Sequence, residues 1–389
     1  MGFRILTLNN ISRKGLERLP RDRYEVASEF ANPDAILVRS ADMLSMEIPQ
    51  SVRAVGRAGA GTNNIPVARL SQRGIPVFTA PGANANAVKE LVLAGVLLAA
   101  RHICESWQFV RGLSGDGEAL EAAVEQGKKR FVGHELPGRT LGVVGLGAIG
   151  VEVANAAHLL GMHVLGFDPQ ITVQRAWQLS SGVEQALSLD DLFARSDVVT
   201  VHVPLLDSTR SMVNAQRIGL MRDGSSLLNF ARAAIVNEAD VLAALDSGKL
   251  AAYICDFPTP QCKDHAGVIA LPHLGASTSE AEQNSAMMVA DTLRDYLEHG
   301  NIRHSVNFPE AALPRVPGTA RIAIANSNVP NMVGQISTNL AEARLNIANL
   351  LNKSKGEVAY TLIDIDGQVP AGLVERIGTI EGVLGIRVV

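Results

Sequence analysis

The sequence predicts an α/β protein: two doubly wound parallel-sheet domains, then a small domain of ferredoxin-like βαββαβ order. Three observations predict it. Short apolar strands alternate with helical stretches through the opening segment. A second such series begins near Thr140. The tail, beyond a proline-bearing linker, reads strand, helix, strand, strand, helix, strand. At 389 residues the chain has room for about two to three domains.

In chain order, the first strands are expected at 3–8, 35–38, 52–57 and 74–78. One long helix is expected over 86–112, and a polar stretch over 113–135 ending in Lys128, Lys129 and Arg130. The longest apolar run, 91–100, is too short to span a bilayer and reads as buried helix. The second series places strands at 141–146, 163–167, 198–203, 226–230, 251–256 and 268–271. A last helix covers 280–299, and 301–317, with three prolines, is a linker. The expected domains are 1–92 with 280–310, 93–279, and 318–389.

A 47% hydrophobic, 19% charged composition suits a globular protein with large cores. A net charge of −4 gives no reason to expect a nucleic-acid partner. Cys104, Cys255 and Cys262 lack the spacing of a disulfide framework or a zinc site, so no metal is expected. Residues 1–10 lack the order of a signal peptide, and together these features predict a cytoplasmic protein without a membrane partner.

Gly145-Leu146-Gly147-Ala148-Ile149-Gly150 follows an apolar strand and opens a helical pattern. Gly145 permits the tight turn, Gly147 leaves room for a pyrophosphate, and Gly150 allows close helix–strand packing. The helix N-terminus presents free N–H groups to phosphate. Asp168, 18 residues beyond Gly150, stands where an acid accepts hydrogen bonds from both ribose hydroxyls and repels a 2′-phosphate. The following Pro169 and Gln170 are not basic, so NAD is expected over NADP in a Rossmann-like domain.

Arg232 and His273 each follow an expected strand of the second series, at the carboxyl end where such folds place their sites. A guanidinium there binds a carboxylate bidentately, and a histidine exchanges protons near neutral pH. Alone, each has an ordinary reading: a solvated arginine and a structural histidine.

The set GLGAIG with Asp168, His202-Val203-Pro204-Leu205, NFARAAIVNE and PHLGAST resembles the D-2-hydroxyacid dehydrogenase family. Leu37-Val38-Arg39-Ser40, VGRAGAGTNN from Val55 and Pro81-Gly82-Ala83-Asn84 are similar to it as well. The resemblance implies that Arg232 holds the substrate carboxylate and carbonyl and that His273 is the general acid/base. It implies that Asp256 accepts a hydrogen bond from the nicotinamide carboxamide. Pro204, Thr209 and Ala231 would line the cofactor, and backbone N–H groups of Ala58, Gly59, Ala60 and Gly61 would hold the carboxylate.

Within the family the chain resembles the phosphoglycerate dehydrogenase branch, whose substrate is 3-phosphoglycerate. Arg39, Ser40, Arg57, Lys128 and Arg130 match positions that face substrate and phosphate there. The tail resembles an ACT domain, with Asn328 and Asn346 at serine-binding positions. That implies an L-serine effector. The family resemblance implies a homodimer or homotetramer, with the first long helix of the NAD domain mediating dimerisation. Asn326 and Asn331 depart from the serine pattern.

One departure touches the chemistry. The family places a glutamate five residues after the nicotinamide acid, bonded to the catalytic histidine. Here no glutamate is present: counting five from Asp256 lands on Gln261, in Asp256-Phe257-Pro258-Thr259-Pro260-Gln261, and a local deletion is an equally good alignment. A carboxylate partner strengthens a histidine as a base and fixes its tautomer. Without it, Gln261 orients His273 as a neutral partner, or Asp264 or Glu280 substitutes, or turnover is weak. Two other functions stay open: a glyoxylate or hydroxypyruvate reductase of the same family, and a non-catalytic NAD-sensing binding protein.

Overall fold

The computed structural model describes residues 2–389. The chain divides into two compact units, Met1–Ala83 with Ser279–Val389, and Asn84–Thr278.

The first unit opens with β1 (Phe3–Leu8), β2 (Tyr24–Ala27), β3 (Ala35–Val38), β4 (Ala54–Arg57) and β5 (Val77–Phe78). They form a parallel sheet in the order β2-β1-β3-β4-β5. Every β3 residue is buried, as a parallel strand covered on both faces requires. β2 escapes sequence reading because it is an edge strand with only Tyr24 buried. The helix Ser279–His299 lies so close to β4 that a Cβ at Gly56 would stand 2.8 Å from Leu293 and Val289.

The second unit holds β6 (Thr140–Val144), β7 (His163–Phe167), β8 (Val183–Gln185), β9 (Val198–Val201), β10 (Ser225–Asn229), β11 (Leu250–Cys255) and β12 (Val268–Ala270). All are parallel, in the order β12-β11-β10-β9-β6-β7-β8. The winding reverses beside β6, and the crevice at the carboxyl ends there is where this architecture takes ligands. β8 was not expected: it is short, and two of its three residues are exposed.

The unit begins at Asn84, and Val88 and Val92 of the helix Ala85–Arg101 belong to its core. One sequence expectation needs correction here. The helix expected over 86–112 is two, Ala85–Arg101 and Ile103–Arg111, broken at His102 with φ +49°. The cause is local competition: the N–H of His134 donates to Ala100 O at 2.9 Å, taking the carbonyl that the continuing helix would use. The polar stretch also contains a helix, Gly117–Gly127.

The tail strands β13 (Thr319–Ser327), β14 (Ile347–Lys355), β15 (Val358–Asp366) and β16 (Val383–Val388), with helices Met332–Glu342 and Ala371–Gly378, make an antiparallel sheet in the order β14-β15-β13-β16. This is the expected βαββαβ arrangement. The tail has its own sheet and clusters with the first unit, and one apolar core joins Ile5, Leu37 and Leu293 to Ala323, Tyr360 and Leu362. Arg321 and Asp364, both 0% exposed, pair through two bonds of 2.6 and 2.8 Å. The remaining Arg321 donors reach the carbonyls of His299 (3.0 Å), Leu313 (2.8 Å) and Pro314 (3.0 Å). A buried charge is tolerable only when paired and fully bonded, as here.

Among the described residues no helix is long and apolar enough to cross a membrane.

Candidate active site

The loop after β6 is shaped by its glycines. Gly145 sits at φ +89°, and a Cβ there would come within 2.7 Å of His202 O. A Cβ on Gly150 would overlap Gly145 O, so the helix Ala148–Leu159 packs directly on its own loop. A Cβ on Gly147 would meet nothing within 4 Å. Gly147 is therefore not required by packing; its bare face is open space at a helix N-terminus with no side-chain cap. Ala148 and Ile149 form the first turn beneath it.

Asp168, just beyond β7, accepts from Leu146 N and Gln170 N, both at 2.9 Å, one on each oxygen. Each oxygen keeps a further lone pair for a diol. The loop 204–209 is closed by Thr209, whose Oγ1 donates to Pro204 O at 2.7 Å and accepts from Leu206 N at 2.8 Å. His202 bonds Thr200 at 2.9 Å, and burial pushes its pKa down to about 4, so it stays neutral.

At the end of β10, Asn229 is wholly buried and turns the chain: its amide donates to Arg232 O at 3.0 Å and its carbonyl accepts from Ala231 N at 3.1 Å. Sequence reading missed this role, although an asparagine ending a buried strand was its signal. Arg232 emerges exposed, donating to Ala231 O at 2.6 Å and pairing with no carboxylate among the described residues.

Asp256 directly follows β11 and is 1% exposed, and among the described residues neither oxygen accepts a hydrogen bond from another residue. Burial pushes its pKa up to about 6, against the opposing pull of His273 and Arg232. Gly275 of the loop after β12 approaches it, since a Cβ there would lie 3.9 Å from Asp256 Oδ2. A buried carboxyl left without a partner is an exception that calls for a ligand donor. With the bare Gly147 and the Asp168 lone pairs, it fits NAD: phosphates at the loop, ribose at Asp168, carboxamide at Asp256.

His273 is exposed, and its ring packs on Phe257, centroids 4.7 Å apart at 49°. No carboxylate bonds it among the described residues. Gln261 does not take that place: it is exposed, and the turn is organised around it by Thr259. Thr259 Oγ1 donates to Glu238 at 2.7 Å and accepts from Cys262 N at 3.2 Å. Asp264 pairs with Lys263, and Glu280 is held by its own helix start through Ser279. Phe257 was overlooked although it directly follows Asp256.

In the first unit, Arg57 donates to Asn64 Oδ1 at 3.0 Å, and burial together with Arg39 lowers its pKa. Arg39 pairs with Glu282. Of the four expected anion-binding amides, two are already used: Ala58 N donates to Val38 O and Gly59 N to Arg57 O, each at 2.8 Å. Those of Ala60 and Gly61 have no partner among the described residues, while Ser40 N reaches Asn9 Oδ1 at 3.3 Å. Lys128 pairs with Glu125, and Arg130 lies over the Phe109 ring at 4.5 Å.

The tail asparagines do not meet. Asn328 follows β13 and donates to Gly356 O at 3.0 Å; Asn346 precedes β14 and donates to Asp366 at 2.7 Å. β13 and β14 each run antiparallel to β15, so these residues lie at opposite ends of the tail sheet.

Residues 93–275 match the family described as D-isomer specific 2-hydroxyacid dehydrogenase, NAD binding domain. The chain is 32% identical over 384 residues to the D-3-phosphoglycerate dehydrogenase of Haemophilus influenzae, covering 94% of this chain and 89% of that protein. It is 33% identical over 392 residues to that of Escherichia coli, covering 94% and 91%. Among solved structures it is similar to the NAD+-bound 3-phosphoglycerate dehydrogenase of Entamoeba histolytica, with TM-score 0.60, 23% identity and coverage of 79% and 99%. It is also similar to apo D-mandelate dehydrogenase of Rhodotorula graminis, with TM-score 0.67, 24% identity and coverage of 81% and 100%. The chain belongs to the D-isomer specific 2-hydroxyacid dehydrogenase family. It is an NAD-dependent oxidoreductase.

Proposed function

We propose that the chain oxidises 3-phosphoglycerate at C2 to 3-phosphohydroxypyruvate, the entry to L-serine synthesis. The observation that carries the reading is that Arg232 and His273 are both exposed, form no ion pair among the described residues, and both act on a buried Asp256 that has no hydrogen-bond partner. Bound NAD supplies the hydride acceptor. Arg232 binds the substrate carboxylate and the C2 oxygen. His273 takes the hydroxyl proton as the carbonyl forms. Asp256 fixes the carboxamide of the cofactor, and Phe257 holds the plane of the His273 ring where the family has a glutamate. Ala60 and Gly61 offer the free amides for the carboxylate, and Arg57 the cation for the phosphate; Arg39 is already neutralised by Glu282.

Two features support a homo-oligomer. Leu97, Ile103, Trp107 and Val110 are exposed on consecutive helices, Trp107 by 59%. One chain also holds Asn328 and Asn346 a strand length apart, about 30 Å for nine residues, so an L-serine bound by both requires a second copy.

The test is NADH formation from 3-phosphoglycerate, D-glycerate and glyoxylate-type substrates, with His273→Ala as control. A kcat/KM for 3-phosphoglycerate about 100-fold above D-glycerate is expected, with turnover lost by about 10³ in His273→Ala and NAD binding kept. Equal use of D-glycerate would reassign the substrate; unchanged turnover in His273→Ala would remove the mechanism.

A further inference from the structure

The first unit contains a cavity that the dehydrogenase chemistry does not use. It has a volume of about 390 Å³ and opens where the turn before β5 meets β16. The contact is close: a Cβ on Gly74 would stand 3.0 Å from Leu384 Cβ. Three guanidinium-bearing residues line the cavity, Arg53, Arg73 and Arg387, and no carboxylate does.

The protein leaves these cations largely uncompensated. Arg387 lies 3.9 Å above the Tyr296 ring and donates to Tyr296 O, with no acidic partner among the described residues. Arg73 donates to carbonyls, Ile48 O at 2.9 Å and Pro49 O at 3.0 Å. Among the described residues, Arg53 is the one of the three with a carboxylate partner, Asp34 at 3.3 Å. Carbonyls and ring faces orient guanidiniums without cancelling their charge. Three cations around one concave space create a positive potential that a small anion lowers by bidentate bonds. Tyr296 and Tyr360 supply an aromatic floor, with the Tyr360 hydroxyl bonded to Arg387 and donating to Gly300 O at 2.7 Å.

We propose that this cavity is a binding site for a small dianion, a phosphate ester or a dicarboxylate, gripped by Arg73 and Arg387 with Arg53 at the rim. The ligand joins the two halves of the unit. Arg53 and Arg73 come from the N-terminal sheet, and Arg387 from β16 of the tail. Arg53 also directly precedes β4, the strand that ends in Arg57. Occupancy therefore ties the tail to the strand carrying the proposed substrate-phosphate cation.

Isothermal titration calorimetry of the full chain with inorganic phosphate, and separately with succinate, tests this. Saturable binding is expected for at least one, weakened about tenfold or more in Arg73→Gln and Arg387→Gln and retained in Arg57→Gln. Binding of phosphate alone assigns the site to phosphate esters, and of succinate alone to dicarboxylates. Should Arg387→Gln fail to fold through loss of its stacking on Tyr296, Arg73→Gln decides. No saturable heat with either anion overturns the proposal. So does wild-type affinity in a folded Arg73→Gln chain, or loss of binding in Arg57→Gln instead, which would place the anion at the substrate position.

Discussion

The Asp256 carboxyl is a group the fold holds at a cost. Burial holds its folded pKa at about 6, above the ordinary carboxyl value of 3.8. Below the lower value both states are protonated and nothing is lost. As pH rises towards 6 the unfolded chain ionises first, so stability falls, and above 6 the full penalty applies, about 3 kcal/mol for two pKa units. Asp256→Asn should therefore melt higher than wild type, by a margin that is larger at pH 8 than at pH 5, while binding NAD more weakly. A constant margin across pH in thermal melts would show that the carboxyl is compensated. Phe257 poses a question of geometry. Phe257→Ala should lower kcat about tenfold with little change in KM, as the His273 ring loses its flank, whereas Gln261→Ala should leave kcat alone. The reverse pattern in steady-state kinetics would return the orienting role to Gln261.

Among elements, the loop between β6 and the helix Ala148–Leu159 separates folding from binding within six residues. Gly147→Val adds atoms only to open space, so melting should stay near wild type while the NAD Kd rises about 100-fold or more. Gly150→Val drives atoms into Gly145 O, and insoluble protein is expected. Fluorescence titration of the soluble variant checks the first; intact NAD affinity there would mean that the phosphates lie elsewhere. The same loop explains what was legible in the sequence. Its glycines, the apolar runs of β6, β9 and β10, and the acid at 168 are local signals, and each could be read in place. Strands β2 and β8 could not be, because they bury one side chain or none and lack the apolar run that marks even the edge strand β12. The break at His102 was illegible for another reason: its cause, His134, lies 32 positions away. At the site, Arg232 and His273 were legible from their motifs. The use of the Ala58 and Gly59 amides by Arg57 and Val38 was not, because backbone partners leave no trace in residue type.

For the molecule as a whole, the Arg321–Asp364 pair sets the stability of the tail. Arg321→Ala strands a buried carboxylate and three carbonyls, and should cost about 3–5 kcal/mol. Adding Asp364→Ala should recover part of that loss, because no unpaired charge remains. Chemical denaturation of the two variants compares them; a double variant no more stable than the single one would mean that the carbonyl contacts dominate. The same bolt bears on ancestry. Its carbonyl acceptors, His299, Leu313 and Pro314, all lie upstream of β13. A recombination breakpoint at the start of the tail would divorce the arginine from the backbone it clasps. Lineages that trade this tail would do best to exchange it with the preceding linker and the last turn of the Ser279–His299 helix. A cassette that keeps this bolt intact is thus longer than the βαββαβ fold it delivers.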